Sequence, residues 1–180
     1  MRLLRFCPVL ALFALAACGD ELPVAVFQNS LESHVLGDLN TTPLQVPSAF
    51  SIPAVGAIRT DQSAVFDFAY VREGDRHYLV PLEGLGIVWR NPDPGLQKSG
   101  LTFEALIDPP SNGYITDDSL EVQVGDVVIA RSRIVCGIGV ANYAKLLITA
   151  IDDEAGTLSF DSVVNLNCGY RSLALGLPKS

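Results

Sequence analysis

Residues 142–164 read Asn142-Tyr143-Ala144-Lys145-Leu146-Leu147-Ile148-Thr149-Ala150-Ile151, then Asp152-Asp153-Glu154-Ala155-Gly156, then Thr157-Leu158-Ser159-Phe160-Asp161-Ser162-Val163-Val164. Two runs rich in aliphatic, aromatic and β-branched residues flank a five-residue polar loop that ends in glycine. That is the pattern of a β-hairpin. Upstream, Leu120, Val122 and Val124 alternate with Glu121 and Gln123, and Gly125-Asp126 turns the chain into the apolar run 127–130. Farther back, Phe66, Phe68 and Tyr70 alternate with Asp67 and Ala69, giving one aromatic face. Glu73-Gly74-Asp75 forms a turn, and 78–82 resumes as a strand, which predicts a second hairpin.

Between these hairpins the patterning is shorter. Residues 86–90 are an apolar run closed by Asn91-Pro92-Asp93-Pro94-Gly95, and 101–107 fits either a strand or one or two helical turns before Pro109-Pro110. After Cys18 no segment of helical period reaches about ten residues. The expected fold is all-β: an antiparallel sandwich or flattened barrel of about 8–10 strands.

The N-terminal end has a different character. Arg2 and Arg5 precede an apolar stretch, 6–15, that is too short to cross a ~30 Å hydrocarbon core as a helix. Small residues Ala16-Ala17 then abut Cys18, as at a signal-peptide cleavage site. An ordinary signal peptide with a chance cysteine is one reading. Leu15-Ala16-Ala17-Cys18 also resembles the lipobox of bacterial lipoproteins. That resemblance implies a diacylglyceryl-modified Cys18 that becomes the first residue after cleavage. Residues 1–17 would then be the signal peptide, 18–23 a lipidated terminus and short tether, and 24–180 a single β-rich domain. It also implies a cell-envelope location with the membrane as partner through the lipid. Gly19, where the enterobacterial retention signal has aspartate, favours an outer membrane if one is present.

Residues 24–62 admit two readings. Either the domain begins with the strand-like run Val24-Ala25-Val26-Phe27 and a long irregular loop follows, or the ordered body begins near Ser63 behind a loose tether. Phe50, Ile52, Val55 and Ile58 resemble packing residues and favour the first.

The chain has 12 Lys+Arg against 20 Asp+Glu, a net charge of −8, and two of its arginines precede Cys18. Such acidity argues against nucleic acid as a partner and against a polybasic grip on anionic lipid. Of the four cysteines, Cys7 would leave with the signal and Cys18 would carry lipid. Cys136 and Cys168 remain, and an even pair in an oxidising compartment predicts a disulfide, with a thiolate metal or haem ligand as the alternative.

Residues 127–132 (VVIARS), 142–148 (NYAKLLI) and 156–160 (GTLSF) resemble the C-terminal strands of the HmuY-like lipoproteins. Those are exported all-β proteins, and some capture haem between histidine or methionine side chains. The stretch 133–141, which carries Cys136, departs from the family's tight turn. A bis-histidine site would have to bring His34 and His77 together, since the chain after Cys18 contains no methionine. The residues themselves read as surface histidines.

Catalytic signatures are missing: no G-x-S-x-G, H-E-x-x-H or C-x-x-C occurs. Asp117-Asp118 and Asp152-Asp153-Glu154 lack the spacing of a calcium loop and read as solvated turns. Trp89 beside the proline-braced turn, and Tyr170-Arg171 after Cys168, are candidate ligand contacts, with Arg171 placed to meet an acidic turn. The expected function is a non-catalytic one, binding an envelope protein or small ligand or organising the envelope, with no cofactor. Haem or small-ligand capture is the alternative, and a cryptic enzyme the third reading.

Overall fold

The computed structural model describes residues 23–88 and 93–179. Ten strands follow in chain order: β1 (Leu31–Gly37), β2 (Ala49–Ser51), β3 (Gly56–Ile58), β4 (Phe68–Glu73), β5 (Arg76–Pro81), β6 (Gly95–Lys98), β7 (Leu120–Val122), β8 (Val127–Ile134), β9 (Ala141–Asp152) and β10 (Thr157–Asn165). They form two five-stranded antiparallel sheets, ordered β1-β10-β9-β8-β6 and β3-β2-β4-β5-β7. The sheets pack face to face without closing on each other. The fold is therefore a sandwich, and the flattened barrel is not formed.

The long hairpin sets the frame. Asp152 pairs with Thr157, so the connection is 153–156, one residue shorter than the sequence suggested. Gly156 closes it at φ 64°, a left-handed conformation that costs glycine little. Because side chains alternate across a strand, Ala144, Leu146 and Ile148 of β9 point inward with Leu158, Phe160 and Val164 of β10. They meet Phe50, Phe68, Tyr70 and Leu79 from the other sheet. Phe50 stands edge-on to Phe160 with ring centroids 5.3 Å apart. A bulge at Ser159/Phe160 leaves Thr149 as the extra residue of β9.

Three elements differ from the sequence reading. The run 24–27 forms no strand; the N–H groups of Val26 and Phe27 instead donate to the side-chain oxygen of Asn167, at 2.8 and 3.0 Å. The weakly patterned segment after it contains β1, β2 and β3. Residues 86–88 follow a 3₁₀ turn (Glu83–Leu85) and are not a strand. At 101–107, by contrast, the helical-turn alternative holds and the strand does not: Leu106 N–H bonds to the Thr102 carbonyl in a single turn.

The aromatic alternation at 66–70 has both faces covered. Ala69 joins a second small cluster with Ala49, Phe66 and Leu82. Asp67 is 1% exposed and takes part in a buried ion pair with Arg133 of β8, Nη1 to Oδ1 at 3.0 Å. Its carboxylate also accepts the backbone N–H groups of Ile52 (2.7 Å) and Arg133 (3.1 Å), so one side chain ties the two sheets together.

Candidate functional site

The outward residues of the first sheet line the best-formed concavity. On β9 the outward positions are Tyr143, Lys145 and Leu147, and on β10 they include Asp161 and Val163. The segment 101–107 folds over part of this face, and Phe103 and Leu106 cluster there with Val127, Ile129 and Leu147. What stays open is a groove of about 380 Å³, walled by Leu31, Phe103, Ile107, Leu147, Val163 and Leu175. Its volume lies within the range of small-molecule sites, which are concave and mostly apolar with a few placed polar groups.

The polar groups here are Lys145, Glu104 and Asp161. Lys145 is 4% exposed; its ammonium donates to the carbonyls of Phe103 (2.8 Å) and Leu106 (3.0 Å) and sits 4.7 Å from the Phe103 ring centre. Those carbonyls belong to the single turn of 102–106, so the lysine pins that turn to the sheet. Burial pushes its pKa below the ordinary 10.5, and Glu104 opposes the shift. The ammonium has no carboxylate within ion-pair distance among the described residues. Asp161 accepts from Ser33 at 2.6 Å. The groove can hold an apolar body beside a few polar groups.

The residues singled out in the sequence are dispersed. Cys18 and Trp89 lie outside the described residues. Cys136 and Cys168 are joined in a disulfide, with Cα atoms 5.6 Å apart. The acidic turn expected opposite Arg171 is not its partner: the guanidinium donates to the Pro109 carbonyl and lies over the Tyr143 ring at 5.2 Å. Tyr170, with its N–H bonded to the Asn167 carbonyl, is part of the turn after the disulfide and lines none of the groove.

Neither histidine is a free surface group. His34 of β1 faces inward against Phe50 (4.8 Å between centroids) and Phe160 (5.3 Å), with Nε2 3.0 Å from the Ser162 hydroxyl. Inward position 34 of an edge strand simply falls over the aromatic cluster. His77 lies on β5 in the other sheet, its Nδ1 2.8 Å from the Tyr70 hydroxyl and its Nε2 3.5 Å from Asp153. Burial pushes the Tyr70 phenol up to about 12, so it stays protonated. Each imidazole is thus engaged by its own neighbours, and the two lie on different sheets. Among the described residues no group of three or more His, Cys, Asp or Glu is arranged to hold a metal ion.

Burial lowers the His34 pKa below its ordinary 6.5, with Glu32 and Asp161 opposing. The unfolded chain therefore takes up this proton first, and stability falls as pH drops through 6.5 toward the folded-state pKa. Urea unfolding at a series of pH values should show this slope, and His34→Gln should flatten it. An unchanged slope in the variant would assign it to other groups.

The groove escaped the sequence because its walls come from five separated segments. The one available signal was the outward face of the long hairpin, where Tyr143, Leu147 and Val163 are too apolar for a solvated surface. No family model, no curated protein and no solved structure matches the chain.

Proposed function

We propose that the chain is an exported, lipid-anchored lipoprotein whose sandwich has a binding rather than a catalytic role. The observation that carries this reading is the Cys136–Cys168 disulfide. A structural disulfide fits an oxidising compartment outside the cytosol. It also satisfies both cysteines of the folded body, which leaves Cys18, beside Leu15-Ala16-Ala17, as the thiol available for lipid. One acyl chain binds a bilayer only marginally, whereas two hold it stably. A diacylated Cys18 would anchor this acidic domain without a membrane-spanning segment, and among the described residues no helix is long and apolar enough to cross a membrane.

Cys18→Ser should release the protein from the membrane fraction or leave it as an uncleaved precursor. A cleaved variant that still sediments with membranes overturns the anchor.

The groove over Lys145 is the proposed ligand seat, suited to a small molecule with an apolar body. The neutral dye N-phenyl-1-naphthylamine should brighten on binding there, and Leu31→Glu, on an exposed edge-strand side chain, should remove most of that signal. Equal fluorescence from both proteins would place the dye elsewhere.

A further inference from the structure

One end of the sandwich is nearly free of formal charge, the exceptions being Arg171, whose guanidinium is held by Pro109 and Tyr143, and the exposed Lys179 at its border. Segments 23–30, 134–144, 162–170 and 172–178 contain no Asp, Glu, Lys, Arg or His, in a chain of net charge −8. They come from distant parts of the sequence, yet the structure ties them into one rim. Asn167 accepts the N–H groups of Val26 and Phe27 and donates to the Phe27 carbonyl at 2.8 Å. The disulfide joins 136 to 168. Asn29 and Gly176 exchange backbone hydrogen bonds of 2.9 Å in both directions, and the Asn29 amide donates to the carbonyls of Ser172 and Ala174.

Large apolar side chains stand out from this rim: Val24 (84% exposed), Val26 (67%), Phe27 (53%), Ile138 (52%), Leu175 (64%) and Leu177 (52%). Scattered exposed aliphatics are ordinary, but a connected, charge-free group of them marks an interaction surface. Val24, Val26, Phe27 and Ile138 line a common hollow beside Cys168.

We infer that this rim is the face the protein lays against the lipid bilayer, an inference that rests on Cys18 being lipidated. Three observations select the bilayer over other occupants. Cys18 lies five residues before Pro23, so a lipid on it is within about 18 Å of the rim even with the chain fully extended. Apart from Arg171, held by Pro109 and Tyr143, and Lys179 at its border, the rim offers no charge to pair with a protein partner and none to be desolvated at an interface. The acidic hairpin loop containing Asp153 and Glu154 sits at the other end of β10, since Asn165 belongs to the rim and Thr157 adjoins that loop. Strand rise puts those ends about 27 Å apart. An anionic membrane would repel that loop and accept the nearly uncharged end, with Phe27 and Leu177 entering the headgroup boundary.

The test uses the lipidated full-length protein, extracted from cells and reconstituted into phosphatidylcholine–phosphatidylglycerol vesicles with or without lipids brominated near the headgroup. Phe27→Trp and Leu177→Trp report the rim. Leu44→Trp and Val124→Trp, exposed positions elsewhere, are controls, and the unsubstituted protein supplies the Trp89 background. Flotation with the vesicles reads the anchor separately. Floating protein should show at least a two-fold loss of the added emission at 27 and 177 and none at 44 and 124. Floating protein with equal or absent quenching at all four positions overturns the orientation and leaves the anchor standing. A blue shift at the rim without quenching assigns the face to a protein and also overturns it. Failure to float removes the anchor and the inference with it.

Discussion

Asp67→Asn lowers the stability of the folded chain by about 3–5 kcal/mol, the cost of removing one partner from a buried ion pair. The carboxylate is 1% exposed, and the Arg133 side chain that it touches is 8% exposed. Burial pushes the Asp67 carboxyl above its ordinary 3.8, while the Arg133 charge and the N–H groups of Arg133 and Ile52 pull it back. Desolvation is the larger influence, so the pair contributes little net stability as a pair. Breaking it is different, because asparagine strips the negative charge from a guanidinium that stays buried. The expected readout is a lower urea midpoint with an unchanged slope. Asp67→Asn combined with Arg133→Met should recover part of the loss, since the buried cation goes and the asparagine oxygen still accepts one backbone N–H. Equal stability of Asp67→Asn and the parent would mean that the pair is solvated.

Removing the disulfide by Cys136→Ser with Cys168→Ser should cost roughly 3–4 kcal/mol on the chain-entropy model. The bond closes a separation of 32 residues that contains all of β9 and β10. It also fixes the 135–140 connection against the turn after β10. Loosening should therefore spread to the Val26–Asn167 and Asn29–Gly176 contacts before it reaches the β9–β10 ladder. Hydrogen exchange should show faster amides at 26, 27 and 29 in the double serine variant, with the hairpin still protected. Uniform acceleration through β9 and β10 would instead mean that the sandwich unfolds as one unit.

The parts of the fold legible in the sequence are those in which neighbouring residues carry the whole signal. The hairpin of 142–164 has long strands, alternate core residues and a glycine where the loop needs a positive φ. The β4–β5 hairpin is legible for the same reason around Gly74. β1 was hidden because it is an edge strand whose outward positions are exposed and whose inward positions are only His34 and Leu36. A histidine in the place of an aliphatic residue breaks the period-two pattern. Asp67 read as the polar side of an alternating strand because its partner, Arg133, is 66 residues away. Local pattern cannot distinguish a solvated carboxylate from one paired across two sheets. The groove and the nearly uncharged rim were illegible on the same ground, each being assembled from segments that meet only in the folded chain. For the rim, the runs without charge were present in the sequence, but only the Asn167, Asn29 and disulfide contacts show that they share one end.

The compartment reading and the cysteine assignment meet in one quantity, the intact mass of the protein extracted from cell membranes without reducing agent. Lipid anchoring predicts a chain that begins at Cys18, carries the added mass of a diacylglyceryl group, with or without a further acyl chain, and gains two hydrogens on reduction as Cys136 and Cys168 separate. A protein that retains Met1 and four free thiols, or one cleaved with no lipid on Cys18, would contradict it.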